Sequence, residues 1–153
     1  MFVSKWGTGG TGDGEFEYPA GIAVSSDGSV YVVDRGNNRI QKFTSEGVFV
    51  SKWGTEGTGP GQFQSSLGGI AVAADGSVYV EDSGNILDGN HRIQKFTSEG
   101  VFVGKWGRYG KPGKWTSADG QFFRPEGVAV APDGSVYVAD MFNDRIQKFS
   151  FLP

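Results

Sequence analysis

The hexapeptide Phe2-Val3-Ser4-Lys5-Trp6-Gly7 returns letter for letter at Phe49-Val50-Ser51-Lys52-Trp53-Gly54 and, with one change, at Phe102-Val103-Gly104-Lys105-Trp106-Gly107. At both later positions it closes a longer unit, preceded by Arg-Ile-Gln-Lys-Phe-Thr-Ser-Glu-Gly-Val at 39–48 and 92–101. Near the N-terminus it stands without that prelude. The third Arg-Ile-Gln-Lys-Phe, at 145–149, is followed by four residues only. The chain therefore reads as opening with the end of a unit and closing with a unit that lacks its end.

Each unit has two earlier segments. Gly21-Ile22-Ala23-Val24, Gly69-Ile70-Ala71-Val72 and Gly127-Val128-Ala129-Val130 lead through Asp27-Gly28, Asp75-Gly76 and Asp133-Gly134 into Val30-Tyr31-Val32, Val78-Tyr79-Val80 and Val136-Tyr137-Val138. Asp-Gly is a hairpin signal, since Gly accepts the positive φ of a tight turn and Asp bonds its own backbone. Glu46-Gly47 and Glu99-Gly100 do the same later in the unit. The result is an antiparallel meander of four strands, a to d, repeated in order.

Strand d sets Phe49 and Trp53 on one pleat face and Val48 and Val50 on the other, so it expects cover on both. In strand c, Ile40 and Phe43 are three apart and cannot share a face, which calls for a bulge or an early strand end. Four-stranded sheets packed face to face around an axis give the required cover, the arrangement of a β-propeller. The segment Asn38-Arg39-Ile40-Gln41-Lys42-Phe43, with the Gly-Ile-Ala-Val and Val-Tyr-Val-x-Asp runs, resembles the NHL repeat, a family of six-bladed β-propellers. That resemblance implies a platform for protein or RNA and, in some relatives, lyase or hydrolase chemistry with a metal at the central channel.

The expected fold is all-β: 1–153 as one half-propeller domain, with blade 1 at 18–53, blade 2 at 67–106, and strands a to c of blade 3 at 126–149. Propellers close with ~4 to 8 blades, so three blades expect a homodimer that completes a six-bladed ring. Residues 2–6 would serve as strand d of the partner's last blade, and Phe2, Val3, Trp6, Ile146 and Phe149 would form the seam.

With 26 Gly, 12 Phe and 2 Met in 153 residues, the composition suits short strands and tight turns. No cysteine is present to form a disulfide or a thiolate nucleophile. A net charge of −3 argues against bulk capture of nucleic acid or an anionic membrane. No apolar run approaches the ~20 residues of a membrane span, and no signal peptide is visible, so the expectation is cytoplasmic.

Loop-length variation falls in the b–c and d–a loops, which share one face of the disc and define the candidate binding face. Arg108, Tyr109, Lys111, Lys114 and Trp115 combine cations with aromatics that could stack on bases, sugars or a peptide. Asp88 and His91 lie in the enlarged b–c loop of the second unit. That loop has oxygen donors but not EF-hand spacing, so a turn held by an Asx side chain is favoured over calcium. Glu126 breaks the internal symmetry beside strand a, at the channel mouth. Asp82, Asp88 and Glu126 are weak metal candidates, and no cofactor is expected.

Asp34, Asp82 and Asp140, each followed by an Arg at the start of strand c, read as a structural pairing. Gly7-Thr8-Gly9-Gly10-Thr11-Gly12 matches a dinucleotide pattern, but no helix follows, so it reads as a flexible outer loop closed by Phe16. The favoured function is a non-catalytic scaffold for protein or peptide. The alternatives are a metal-assisted lyase or hydrolase at the channel, and single-stranded RNA binding through 108–115.

Overall fold

The computed structural model describes residues 1–110 and 118–151. A short parallel pair, β1 (Thr8–Gly9) with β2 (Glu15–Phe16), precedes an antiparallel sheet of β3 (Pro19–Val24), β4 (Val30–Asp34), β5 (Arg39–Phe43) and β6 (Phe49–Trp53). The pattern repeats with β7 (Thr55–Glu56) and β8 (Gln62–Phe63), then a sheet of β9 (Leu67–Val72), β10 (Val78–Asp82), β11 (Arg92–Phe96) and β12 (Phe102–Trp106). A third sheet holds β13 (Pro125–Val130), β14 (Val136–Asp140) and β15 (Arg145–Phe149). Strand order is sequential in every sheet, as tight Gly turns require.

The sheets stack as blades, with the innermost strands β3, β9 and β13 side by side. Glycine allows this approach: a Cβ on Gly21 would lie 2.2 Å from the Gly68 carbonyl oxygen of the next blade. Between blades 1 and 2, Tyr31, Val33 and Ile40 meet Phe63, Leu67, Ile70, Val78, Val80 and Phe96. Between blades 2 and 3, Tyr79 and Ile93 meet Phe122, Val136 and Val138. The core is thus made between sheets, and each blade is buried by its neighbour.

The outermost strand differs from the expected pleat. Phe43 pairs with Phe49 and Lys42 with Ser51, so Val50 is the extra residue of a β-bulge. The bulge reverses the alternation of side chains. Ile40 and its partner Trp53 face blade 2, while Phe43 and Phe49 face the other way. Phe49 and Trp53 therefore sit on opposite faces, and the misfit between Ile40 and Phe43 is resolved in the partner strand. β12 carries the same bulge opposite Lys95 and Phe96. Val48 and Val50 are exposed, as are Val101 and Val103, so the predicted cover on that side of the outer strand is absent.

Trp53 reaches over to the next blade, 5.8 Å from the Phe96 ring, and Trp106 lies 5.7 Å from Phe149. Trp6 makes the equivalent contact with Phe43 of blade 1, at 6.1 Å. Residues 2–6 pair with no strand, yet Trp6 occupies the place that the outer strand of a preceding blade would fill. The faces at the two ends of the array are open. Ile40 and Ile93 are 0% exposed, whereas Ile146 is 67% exposed; Ile70 is 7% exposed, whereas Ile22 is 63%.

Candidate functional site

The b–c and d–a loops are bound together on one side of the array by a repeated network. Asp34 Oδ1 accepts from the Glu17 amide (2.7 Å), and Oδ2 from Arg39 Nε (2.7 Å), Asn37 Nδ2 (3.0 Å) and Gln41 Nε2 (3.2 Å). Arg39 donates onward to the carbonyls of Thr11, Gly12 and Glu15, so the glycine-rich loop expected to be flexible is tied down. Asp82 holds the Gln64 amide, Asn90, Arg92 and Gln94 in the same way. Asp140 holds the Phe123 amide, Asn143, Arg145 and Gln147. Both oxygens of each buried carboxylate are engaged, which is how a buried charge is tolerated. Asp82 is accordingly committed to its loop.

The enlarged loop of blade 2 is a turn closed by Asn85, whose Oδ1 accepts from the amides of Leu87 (2.9 Å) and Asp88 (3.1 Å). The Asp88 side chain points to solvent. His91 is fully buried, stacked on Tyr109 at 4.7 Å and edge-on to Phe123 at 5.9 Å. Its Nδ1 accepts from the Arg124 amide (2.9 Å), and burial pushes its pKa down. Tyr109 and His91 thus form one aromatic wall between blades 2 and 3, and Arg108 is exposed beside it. Lys111, Lys114 and Trp115 lie outside the described residues.

This loop face also carries exposed apolar side chains: Tyr18, Ile86, Leu87, Met141 and Phe142. They come from loops of all three blades. Nothing in the alternation of strands selects them, so only a comparison of loop residues between repeats would have found them.

At the ends of the inner strands, Arg35, Ser66, Gly68, Glu81, Ser83, Arg124 and Glu126 surround a cavity of about 180 Å³. Glu126 is paired with Arg124 (2.9 Å). Glu81 is 1% exposed, and its Oε2 accepts from the Gly69 amide at 3.1 Å. Its Oε1 has no well-aligned hydrogen-bond partner among the described residues, although the Ser83 side chain lies near enough to act on it. Burial pushes the Glu81 pKa up to about 8. Sequence reading singled out Glu126 here and missed Glu81, although Glu81 breaks the repeat just as visibly, standing where the other units have Val33 and Ala139. Among the described residues, no three His, Asp or Glu side chains are grouped to hold a metal ion.

Stacked antiparallel sheets, two of four strands and one of three, with their first strands side by side, have the build of β-propeller blades. The family model of the NHL repeat matches residues 16–43 and 122–149, in the first and third units. Over 47 residues it is 47% identical to the E3 ubiquitin-protein ligase TRIM32 of Homo sapiens, covering 31% of this chain and 7% of that protein. Over 45 residues it is 47% identical to the protein lin-41 of Caenorhabditis elegans, covering 29% and 4%. The chain thus spans a small fraction of the length of these relatives.

Among solved structures it resembles virginiamycin B lyase from Staphylococcus aureus, with a TM-score of 0.57 and 20% identity over 87% of this chain and 38% of that one. It also resembles the WD40 β-propeller domain of Doa1, with a TM-score of 0.57 and 13% identity over 86% and 36%. At such identities the likeness is one of fold. Among the described residues, no helix is long and apolar enough to cross a membrane.

Proposed function

We propose that the chain is a non-catalytic binding scaffold whose b–c and d–a loops present a docking face for a protein or peptide. The observation that carries this reading is the set of exposed apolar side chains on that face, Tyr18, Ile86, Leu87, Met141 and Phe142, on loops held rigid by the Asp–Arg–Gln networks. Large apolar groups on preorganised loops are what a partner buries at low entropic cost. The repeated carboxylates and guanidiniums are consumed in fixing these loops.

We further propose that the open ends of the array close on a second copy. The exposed side of blade 3, with Ile146, meets the exposed side of blade 1, with Ile22 and Val24, and two copies give six blades. Residues 2–6 then run beside β15 of the partner, where Trp6 already stands in the register of Trp53 and Trp106.

The docking face is tested by panning a displayed random-peptide library against the purified chain. Enriched peptides are expected to lose at least about tenfold in affinity, or about 1.4 kcal/mol, on Leu87→Ser or Phe142→Ser. Val101→Ser, on the opposite side of the disc, is expected to leave binding intact. Failure to enrich, or enrichment indifferent to the loop-face variants, overturns the reading.

A further inference from the structure

The cavity at the ends of the inner strands is built from residues that depart from the repeat. Glu81 stands where the other blades have Val33 and Ala139, Arg35 where they have Ser83 and Met141, and Arg124 where blade 1 has Tyr18. Gly68, in the bulged stretch of β9 opposite Glu81, supplies the space. A Cβ there would lie 2.6 Å from Glu81 Oε2 and 3.8 Å from Arg35 Nη2. Three blades thus contribute to one enclosure, and all its walls come from a single chain.

The hydrogen-bond inventory of the enclosure is one-sided. Arg35 Nε donates to the Leu67 carbonyl (2.6 Å) and Arg124 Nε to Glu126 (2.9 Å). The terminal amino groups of both guanidiniums have no acceptor among the described residues. Ser83 gives its hydroxyl proton to the Pro125 carbonyl (2.5 Å). Burial, reinforced by the carboxylates of Asp82 and Glu126, raises the Glu81 pKa to about 8 and favours its protonated form at neutral pH. Oε2 receives the Gly69 N–H, which leaves Oε1, beside the Ser83 hydroxyl and without a well-aligned hydrogen bond among the described residues, as the oxygen free to carry the proton. The charged groups around it are Arg35, Arg124, Glu126 and Asp82; Arg124 neutralises Glu126, and Arg92 neutralises Asp82. What remains is one uncompensated guanidinium and a surplus of donors.

We propose that this cavity binds a small oxyanion, a carboxylate or phosphate group, held by the guanidiniums of Arg35 and Arg124 and by the carboxyl of Glu81. Guanidinium forks match the planar edge of such a group and bond it more strongly than neutral donors do. The Glu81 O–H completes the set as a neutral donor, so anion binding and retention of its proton favour each other.

The test is isothermal titration calorimetry of the full chain with sodium phosphate and, in a separate arm, sodium acetate, which together show which group is preferred. Saturable binding of at least one is expected at pH 6.5, weakening as pH rises through about 8, the value to which Glu81 is raised. Arg35→Ala should weaken it at least about tenfold. This side chain is exposed, and an unchanged thermal melt would show that the variant folds. Glu81→Gln, which keeps a neutral donor, should hold affinity within about threefold at pH 6.5 and lose the pH dependence. Absence of saturable binding, binding untouched by Arg35→Ala, or uptake of calcium in preference to either anion overturns the proposal. Because the enclosure needs neither a second copy nor a peptide, these outcomes are independent of the scaffold reading.

Discussion

A single buried carboxyl sets the pH response of the fold. Glu81 keeps its proton in the native chain up to about pH 8 because burial penalises the charged form, and the unfolded chain releases it near the ordinary value of 4.5. Between those values the native state binds more protons than the unfolded state, so stability falls as pH rises across that window, by up to about 1.4 kcal/mol per pH unit. His91 has the opposite sign: its lowered pKa means that acidification below about 6.5 favours the unfolded chain. The urea midpoint of the chain is expected to decline from pH 6.5 to 8, above the range where His91 offsets it, and Glu81→Gln to flatten that decline. A wild-type profile that is level or rising over this range would show that Glu81 is ionised in the fold. Glu81 could have been found by aligning the units one column further than the Val-Tyr-Val run. The enclosure around it could not, since Arg35, Gly68 and Arg124 meet only after three blades stack.

At the scale of elements, turns and bulges determine which way side chains point. Gly47 and Gly100 close the c–d hairpins with φ of 83° and 84°, and a Cβ on Gly100 would lie 2.4 Å from the Trp53 ring of the preceding blade. Gly134 has φ of 81° but nothing within 4 Å of its Cβ position. Gly134→Ala should therefore cost about 1 kcal/mol for the backbone alone, and Gly100→Ala about 1 to 3 kcal/mol because the Trp must also shift. Equal losses in urea denaturation would show that the tryptophan does not rest on the hairpin. Turn positions were legible in the sequence because Asp-Gly and Glu-Gly carry their own local signal. The misfit of Ile40 and Phe43 was legible too, but its remedy lay at Val50, since strand parity cannot reveal which of two paired strands takes the extra residue.

For the whole molecule, the exposed faces at the ends of the array are what the proposed pairing would cover. An Ile that is sealed in blades 1 and 2 is 67% exposed in blade 3, and burying it fully stabilises by about 1.5–3 kcal/mol. Light scattering on the purified chain is expected to give about twice its 16.3 kDa mass. Ile146→Asp should return it to the single-chain mass by placing a charge in the seam. A wild-type chain that stays at the single-chain mass at micromolar concentration would assign the open faces to some other occupant. The three-fold repetition was plain from the letters alone. The docking face was only partly so, because exposure of Leu87 or Phe142 depends on how loops settle over neighbouring blades.

Trp53, Trp106 and Trp6 each rest on the blade that follows them, never on the one before. The array consequently has a polarity, like tiles on a roof. Any newcomer at an exposed end must overlap in the same rotational sense. Lengthening by duplication is equally one-directional: an added copy inherits its fastening from the neighbour it joins.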